Sequence, residues 1–509
     1  MSSEDESKTN VNVATEMVDK SDSFATAEPV DDATLFVQER EGKFEITEAD
    51  EKAALRRNDF ILLPTLFFLA TMGAVDKVSL GTAALYGIRD HLTTFQYTWV
   101  SSILFIGSLF GVFPLMYLQS KYRLGKVMSI CSTIWSGLTL LMPACNSYGG
   151  FLALRFLTGV VEAAIVPGCT LMVTRFYRKS EQGVRLGFVF AFASSVINGF
   201  LSWLIYYFGD GLPKWKYLYL LIGSISFSFS VFTLWFLPDT PMNARYLSEK
   251  HKFIIVKKVI ENRTGVQTNT WSWSQFREAV FDVKAYIIFL FNIGINIPNG
   301  GLSAFSAIII ASLNFSARES SLMTIPTGVI ATIATVVINY FAGRFTNKRI
   351  LLAILGLTIP LIGAIISYVV PETSVGARLL GLYLMYFYFA PYVVLISLSQ
   401  ANTSGNTKKS VVYGINYLGY AVGALTGGQV YNSGFTGGFI AMICAYVACI
   451  LLSGCYWLVC TYQNKQKLKV INADEELKGE FEALKDKTED VNVLLDVTDK
   501  EQKTFLYTK

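Results

Sequence analysis

The chain has 509 residues, 52% hydrophobic and 14% aromatic against only 16% charged, an apolar excess over ordinary soluble domains that points to a membrane protein. The net charge of +4, with basic residues dispersed between apolar segments, argues against nucleic-acid binding. Only two His are present, no metal-ligand spacing occurs among the seven Cys, and no nucleophile-and-base pair or phosphate loop is evident, so enzyme, cofactor and metal chemistry have little support.

Residues 1–56 are acidic and Ser/Thr-rich, the character of a flexible cytoplasmic tail and not of a cleavable signal. Apolar windows near the bilayer-crossing length of about 20 residues follow. They lie near 60–85, 96–118, 126–144, 150–174, 186–208 and 216–237, and after a charged stretch at 238–283, near 285–312, 320–342, 350–370, 376–399, 411–432 and 437–461. The pattern predicts an all-α membrane protein of twelve transmembrane helices in two six-helix halves, 57–237 and 284–462, with a linker at 238–283 and a second flexible tail at 463–509, where 472–489 is a candidate short helix.

Basic residues concentrate in alternate loops: Lys121, Arg123 and Lys126; Arg175, Arg178, Lys179 and Arg185; Arg344, Lys348 and Arg349; Lys408 and Lys409. The opposite loops at 145–149 and 433–436 have none, so by the positive-inside rule both tails and the linker are expected in the cytoplasm.

Four charges sit deep in the spans: Asp76 and Lys77 in the first, Arg155 and Glu162 in the fourth. A charge in hydrocarbon costs about 2.5 to 3.5 kcal/mol on insertion scales unless it is paired or faces a wet cavity. Arg155 and Glu162, two turns apart, share a helix face about 10.5 Å apart along the axis, too far to pair and suited to lining one cavity. The functional expectation is that Lys77 and Arg155 bind an anion while Glu162, with help from Asp76, carries a proton. The structural alternative is an ion-pair network, Asp76 with Lys77 or Arg155 with Glu162, that only holds the helices together.

In the second half, Asn292, Asn296 and Asn299 recur at i, i+4 and i+7 beside Gly300 and Gly301, a polar stripe that suits either a substrate path or bonds between helices. Tyr386, with Tyr383, Tyr388 and Tyr392, is a candidate clamp for an apolar part of the substrate. Gly414, Gly419, Gly423, Gly427 and Gly428 predict close approach of the eleventh span to its neighbours.

"RFLTGVVEAAIVPG" at 155–168 with "RFYRKSEQGVRLG" at 175–187 resembles the fourth helix and following loop of the anion:cation symporter family of the major facilitator superfamily. "VDKVSLGTAAL" at 75–85 is similar to its first helix, and "LPDTPMNARYLSEK", "WSWSQFREAVFDVKAYIIFLFN" and "IPNGG" resemble its fungal allantoate permease-like branch. The resemblance implies the major facilitator fold and proton-coupled import of a small organic anion such as a carboxylate, ureido acid or acidic vitamin. By position it assigns Lys77 and Arg155 to the anion and Glu162 to coupling. The loops depart from the superfamily pattern: "LQSKYRLGK" at 118–126 lacks its acid, and "GRFTNKR" at 343–349 has Asn347 where Asp is expected. The gate at that end is therefore expected either to be weaker or to use Glu181 and Arg185, with Arg344 in the second loop.

The expected protein is a monomeric plasma-membrane symporter with H+ as coupling ion and no other cofactor. Its partners are the organic anion, the lipid bilayer and, through the tails, ubiquitin-dependent sorting machinery. The alternatives are a transport-inactive nutrient receptor and a proton-independent facilitator or exporter of apolar compounds.

Overall fold

The computed structural model describes residues 36–37, 39–40, 43–44, 46–190, 194–209, 211–261, 272–371, 373–473, 475, 477–479 and 498–509, which form helices and turns with no strand among them. The first half comprises span 1 (Glu48–Tyr86), span 2 (Thr94–Lys121), span 3 (Leu124–Ala144), span 4 (Tyr148–Phe176), span 5 (Val184–Tyr207) and span 6 (Lys214–Phe236). The second comprises span 7 (Val283–Ala311), span 8 (Ala317–Arg344), span 9 (Arg349–Val369), span 10 (Val375–Ala401), span 11 (Asn406–Gln429) and span 12 (Phe435–Ala473). Among the described residues, 11 of these are long and apolar enough to cross a membrane; span 11 has the length, but Gly, Asn, Thr and Lys dilute its apolarity. It is nonetheless the principal neighbour of span 7 and also packs on span 2, which gives it the place of a membrane helix.

Local chemistry sets the helix starts. Thr47 accepts from the Asp50 N–H while the Asp50 carboxylate accepts from the Thr47 N–H, and Glu48, Asp50 and Glu51 place negative charge in the first turn of span 1. Thr93 with Gln96 and Ser316 with Glu319 repeat the reciprocal cap at spans 2 and 8. The first helix thus begins at Glu48, inside the segment expected to be a flexible tail. Its entry turn is anchored by pairs from Asp50 to Lys250 (2.7 Å) and from Glu51 to Lys258 (2.5 Å), both on the linker helix Glu249–Glu261. Residues 1–35 and most of 472–489 lie outside the described residues.

Small residues allow the closest helix crossings. A Cβ on Gly111 would lie 2.0 Å from the Val160 carbonyl oxygen where span 2 crosses span 4, and one on Gly300 would lie 2.0 Å from the Ala424 carbonyl oxygen where span 7 crosses span 11. Gly419, Gly423 and Gly427 also face span 7, whereas Gly414 and Gly428 face span 2 of the other half, at Phe113 and Ser102.

The hydrogen bonds that join the halves cluster toward the end opposite the basic loops. Tyr97 Oη donates to the Ala304 carbonyl (2.8 Å), Tyr86 Oη meets Ser321 Oγ (3.1 Å), Thr98 Oγ1 donates to Asn432 Oδ1 (2.9 Å) and Gln429 Nε2 donates to Ser102 Oγ (2.9 Å). Toward the basic end, each described linker helix packs on its own half. The linker helix Glu249–Glu261 packs on spans 1 and 4, and the linker helix Trp273–Val280 on span 11. The expected flexible tail from 463 also needs correction: span 12 continues to Ala473, and residues 498–509 fold back against the second half, where Asp499 is fully buried.

Candidate substrate and coupling site

Asp76 and Lys77 are consecutive on a helix, so their side chains diverge by about 100°. That divergence sorts the four deep charges into two pairs, both linking span 1 to span 4. Asp76 turns into the packed interior of the first half and pairs with Arg155 at 3.0 Å; Lys77 pairs with Glu162 at 2.9 Å. The arrangement is crossed relative to the structural alternative drawn from the sequence, which paired Asp76 with Lys77 or Arg155 with Glu162.

The pairs differ in solvation. Arg155 and Asp76 side chains are 3% and 2% exposed, and their remaining valences are largely taken: Nη1 also donates to the Asp76 carbonyl (3.3 Å), Nη2 donates to Tyr219 Oη (2.7 Å), and Thr139 Oγ1 donates to Asp76 Oδ1 (3.2 Å). Asp76 is therefore occupied by Arg155 and Thr139. Lys77 is 25% exposed, and Glu162 is 5% exposed with Oε2 buried and lacking a hydrogen-bond partner among the described residues. Gly73 lets this carboxylate lie against span 1, since a Cβ there would sit 3.2 Å from Glu162 Oε1.

Lys77, Arg155, Ser101, Leu104, Phe105 and Ser303 line a cavity of about 10 Å³. That is about the room needed by one water molecule, so the space beside Lys77 is nearly closed in this conformation. Tyr392 of span 10 and Tyr417 and Tyr420 of span 11 lie within electrostatic range of the Lys77 ammonium, and the Tyr420 ring meets Phe105 edge-on at 6.0 Å. Tyr417 and Tyr420 were missed in the sequence, where span 11 was read only for its glycines. Their i, i+3 spacing in "NYLGYAVG" was the available signal.

The asparagine stripe divides. Asn292 and Asn296 are buried, donate to backbone carbonyls of their own helix (3.1 and 2.9 Å) and pack their Cβ atoms where Gly419 and Gly423 of span 11 approach. Asn299 donates to Asn296 Oδ1 (2.9 Å) and accepts from Tyr388 Oη (2.8 Å). Tyr386 is 4% exposed and directed at Ser306 and Thr327 between spans 7 and 8, not toward Lys77. Tyr392, by contrast, lies near the Lys77 ammonium.

The expected gate residues do not bridge the halves. Arg185 pairs with Asp59 at 2.8 Å and donates to the Glu181 carbonyl (3.2 Å), all within the first half. Glu181 caps its own helix by accepting from the Arg178 N–H. Arg344 is exposed and has no ion pair with a described residue. In the loop after span 2, Asp239 of the linker accepts from the Lys126 N–H (3.2 Å), while Lys126 Nζ donates to the Leu234 carbonyl.

The sequence pattern of the Major Facilitator Superfamily matches residues 66–417. The chain belongs to this superfamily. It is 32% identical over 465 residues to the MFS-type transporter cnsL of Penicillium expansum, covering 90% of this chain and 88% of that protein. It is 28% identical over 502 residues to the allantoate permease of Saccharomyces cerevisiae, covering 95% and 91%, which supports an allantoate permease-like branch. Among solved structures, an inward-facing, unoccupied bacterial homolog of the human lysosomal transporter Spinster superposes with a TM-score of 0.58 at 14% identity, over 81% of this chain and 97% of that one. The chain is a membrane transporter of the superfamily and not an enzyme.

Proposed function

We propose that the protein imports a small organic anion together with a proton by alternating access, across the plasma membrane, with its basic loops in the cytoplasm. The observation that carries this reading is that Lys77, partly exposed, pairs with Glu162 beside a small cavity, whereas Arg155, which also lines that cavity, is buried in its pair with Asp76. Lys77 is the cation available to a substrate carboxylate. A substrate that takes Lys77 deprives Glu162 of its partner, and a lone carboxylate in that surround is costly. Glu162 then binds a proton; when the anion leaves, Lys77 reclaims Glu162 and the proton is released. Binding of anion and proton are thereby linked through one ammonium group. Arg155 has a supporting part, holding Asp76, Thr139 and Tyr219 so that spans 1, 3, 4 and 6 present Lys77 correctly.

The substrate class follows the charge, and the allantoate permease relative supports a ureido acid or similar carboxylate. Tyr392, Tyr417 and Tyr420 provide the opposing wall for its uncharged part. The contacts between halves at the end opposite the basic loops support a conformation closed to the outside. The deciding experiment measures uptake of labelled carboxylates, ureido acids and acidic vitamins at acidic and neutral external pH, for wild type, Lys77→Met and Glu162→Gln at matched surface amounts. Uptake driven by acid in wild type, lost in Lys77→Met and indifferent to pH in Glu162→Gln supports the symporter. Ligand binding without uptake favours a receptor, and pH-independent uptake unaffected by either change favours a facilitator of apolar compounds.

A further inference from the structure

The basic end of the second half contains a cluster of charge remote from the Lys77 site. Lys284 opens span 7, Lys408 opens span 11 and Lys467 lies near the end of span 12. Lys408 pairs with Glu278 (2.8 Å) and Asp282 (3.0 Å), while Lys284 lies 3.8 Å from Asp282. Three lysines thus face two carboxylates. Asp499 supplies the third, with Oδ2 at 2.9 Å from Lys284 Nζ and Oδ1 at 2.6 Å from Lys408 Nζ. It also accepts from the Ser404 N–H (3.3 Å) and Tyr507 Oη (2.8 Å). Burial disfavours the Asp499 carboxylate, but Lys284 and Lys408 outweigh it and hold the group below the usual carboxylate range.

Backbone contacts hold the rest of the segment. Asn464 accepts from the Tyr507 N–H (2.9 Å) and donates to its carbonyl (2.8 Å), and Asn402 does the same for Thr508 (2.8 and 3.0 Å). Lys467 donates to the carbonyls of Asp499, Gln502 and Phe505 (2.5, 2.9 and 3.0 Å), Lys284 Nζ sits 3.4 Å above the Tyr507 ring, and the Arg349 N–H donates to the Lys509 carbonyl (2.9 Å). Two side-chain amides pair with consecutive peptide groups beside a buried cation cluster that takes a single aspartate, so the site reads backbone and one carboxylate.

We propose that this is a peptide-binding site and that residues 498–509 are its tethered ligand, a latch that clamps the basic ends of spans 7 and 9–12 as one body. The clamp bears on spans 7 and 11, which also present Ser303, Tyr417 and Tyr420 near Lys77, so its release loosens the wall of the transport path. The inference is independent of which substrate is carried.

The test needs no substrate. Membranes holding the full chain are treated with an amine-reactive reagent, and labelling is read by mass spectrometry for wild type, Asp499→Asn and a variant lacking 498–509. In wild type, buried Lys284 and Lys408 are expected to react about tenfold or more slowly than exposed Lys503. Both variants should speed them, and a synthetic 498–509 peptide, unlike its Asp499→Asn form, should restore shielding to the deletion variant. Fast labelling in wild type, unchanged labelling in both variants, or no rescue by the peptide would overturn the site. Amide hydrogen exchange checks the clamp: faster exchange at the starts of spans 7 and 11 in Asp499→Asn supports it, and unchanged exchange overturns it.

Discussion

The two halves place their buried charge differently. In the first half the charges lie in mid-membrane, as Asp76–Arg155 and Lys77–Glu162; in the second they lie at the basic end, where Asp499 meets Lys284 and Lys408, and the mid-membrane positions are filled by Asn and Tyr. A charge at mid-membrane is retained at a cost, and of the two mid-membrane pairs it is Lys77–Glu162 that keeps solvent access. The comparison separates a pair that supports structure from one that can exchange partners. On the proposed reading, ion chemistry belongs to the first half and the polar, aromatic wall to the second.

The largest effect expected from disturbing this comparison is at the sealed pair. Arg155→Ala leaves Asp76 buried without a cation and should cost about 3 to 5 kcal/mol, seen as a lower unfolding temperature in detergent and reduced surface amount. An Asp76→Leu, Arg155→Met double variant should recover much of that loss, because both charges leave together. If Arg155→Ala unfolded at the wild-type temperature, the division between a structural and an exchanging pair would fail.

Next in size are the glycine crossings, one in each half. Gly111→Ala and Gly300→Ala each push a methyl against a backbone carbonyl and should each cost about 1 to 3 kcal/mol. Equal losses would make the crossings equivalent supports. A thermal shift confined to one variant would show that the other crossing can open without strain.

Glu162→Gln and Lys77→Met should alter stability less than Arg155→Ala, since Lys77 is partly solvated and Gly73 leaves the carboxylate room. Their effect belongs in transport. Glu162→Gln should flatten the dependence of uptake on external pH without unfolding the protein; a retained acid dependence would remove Glu162 from the coupling role.

Much of this was legible in the sequence. Twelve apolar windows and four deep charges gave the fold and the identity of the charged residues, because hydrocarbon tolerates so few exceptions. The partners were not legible, since the rotation of spans 1 and 4 about their axes decides which of two adjacent residues meets Arg155, and that rotation is set by packing. Asn292 and Asn296 suited either a path or bonds between helices, because periodicity reports a shared face but not what the face meets; here it meets the glycines of span 11. Segment 498–509 looked like a tail because it has no long apolar run. Its burial depends on lysines 91 and 215 residues away in sequence, Lys408 and Lys284.

The smallest effect is expected at the counterpart of Asp499 in the first half, Asp50, where an acid–lysine contact also fastens a peripheral segment. Asp50 accepts from Lys250 at 2.7 Å, but both side chains are substantially exposed (28% and 35%), whereas Asp499 is fully buried. Solvent and salt screen such a pair, and Lys250→Ala should leave the unfolding temperature nearly unchanged where Asp499→Asn lowers it. Comparable shifts from the two substitutions would mean that burial is not what distinguishes these contacts.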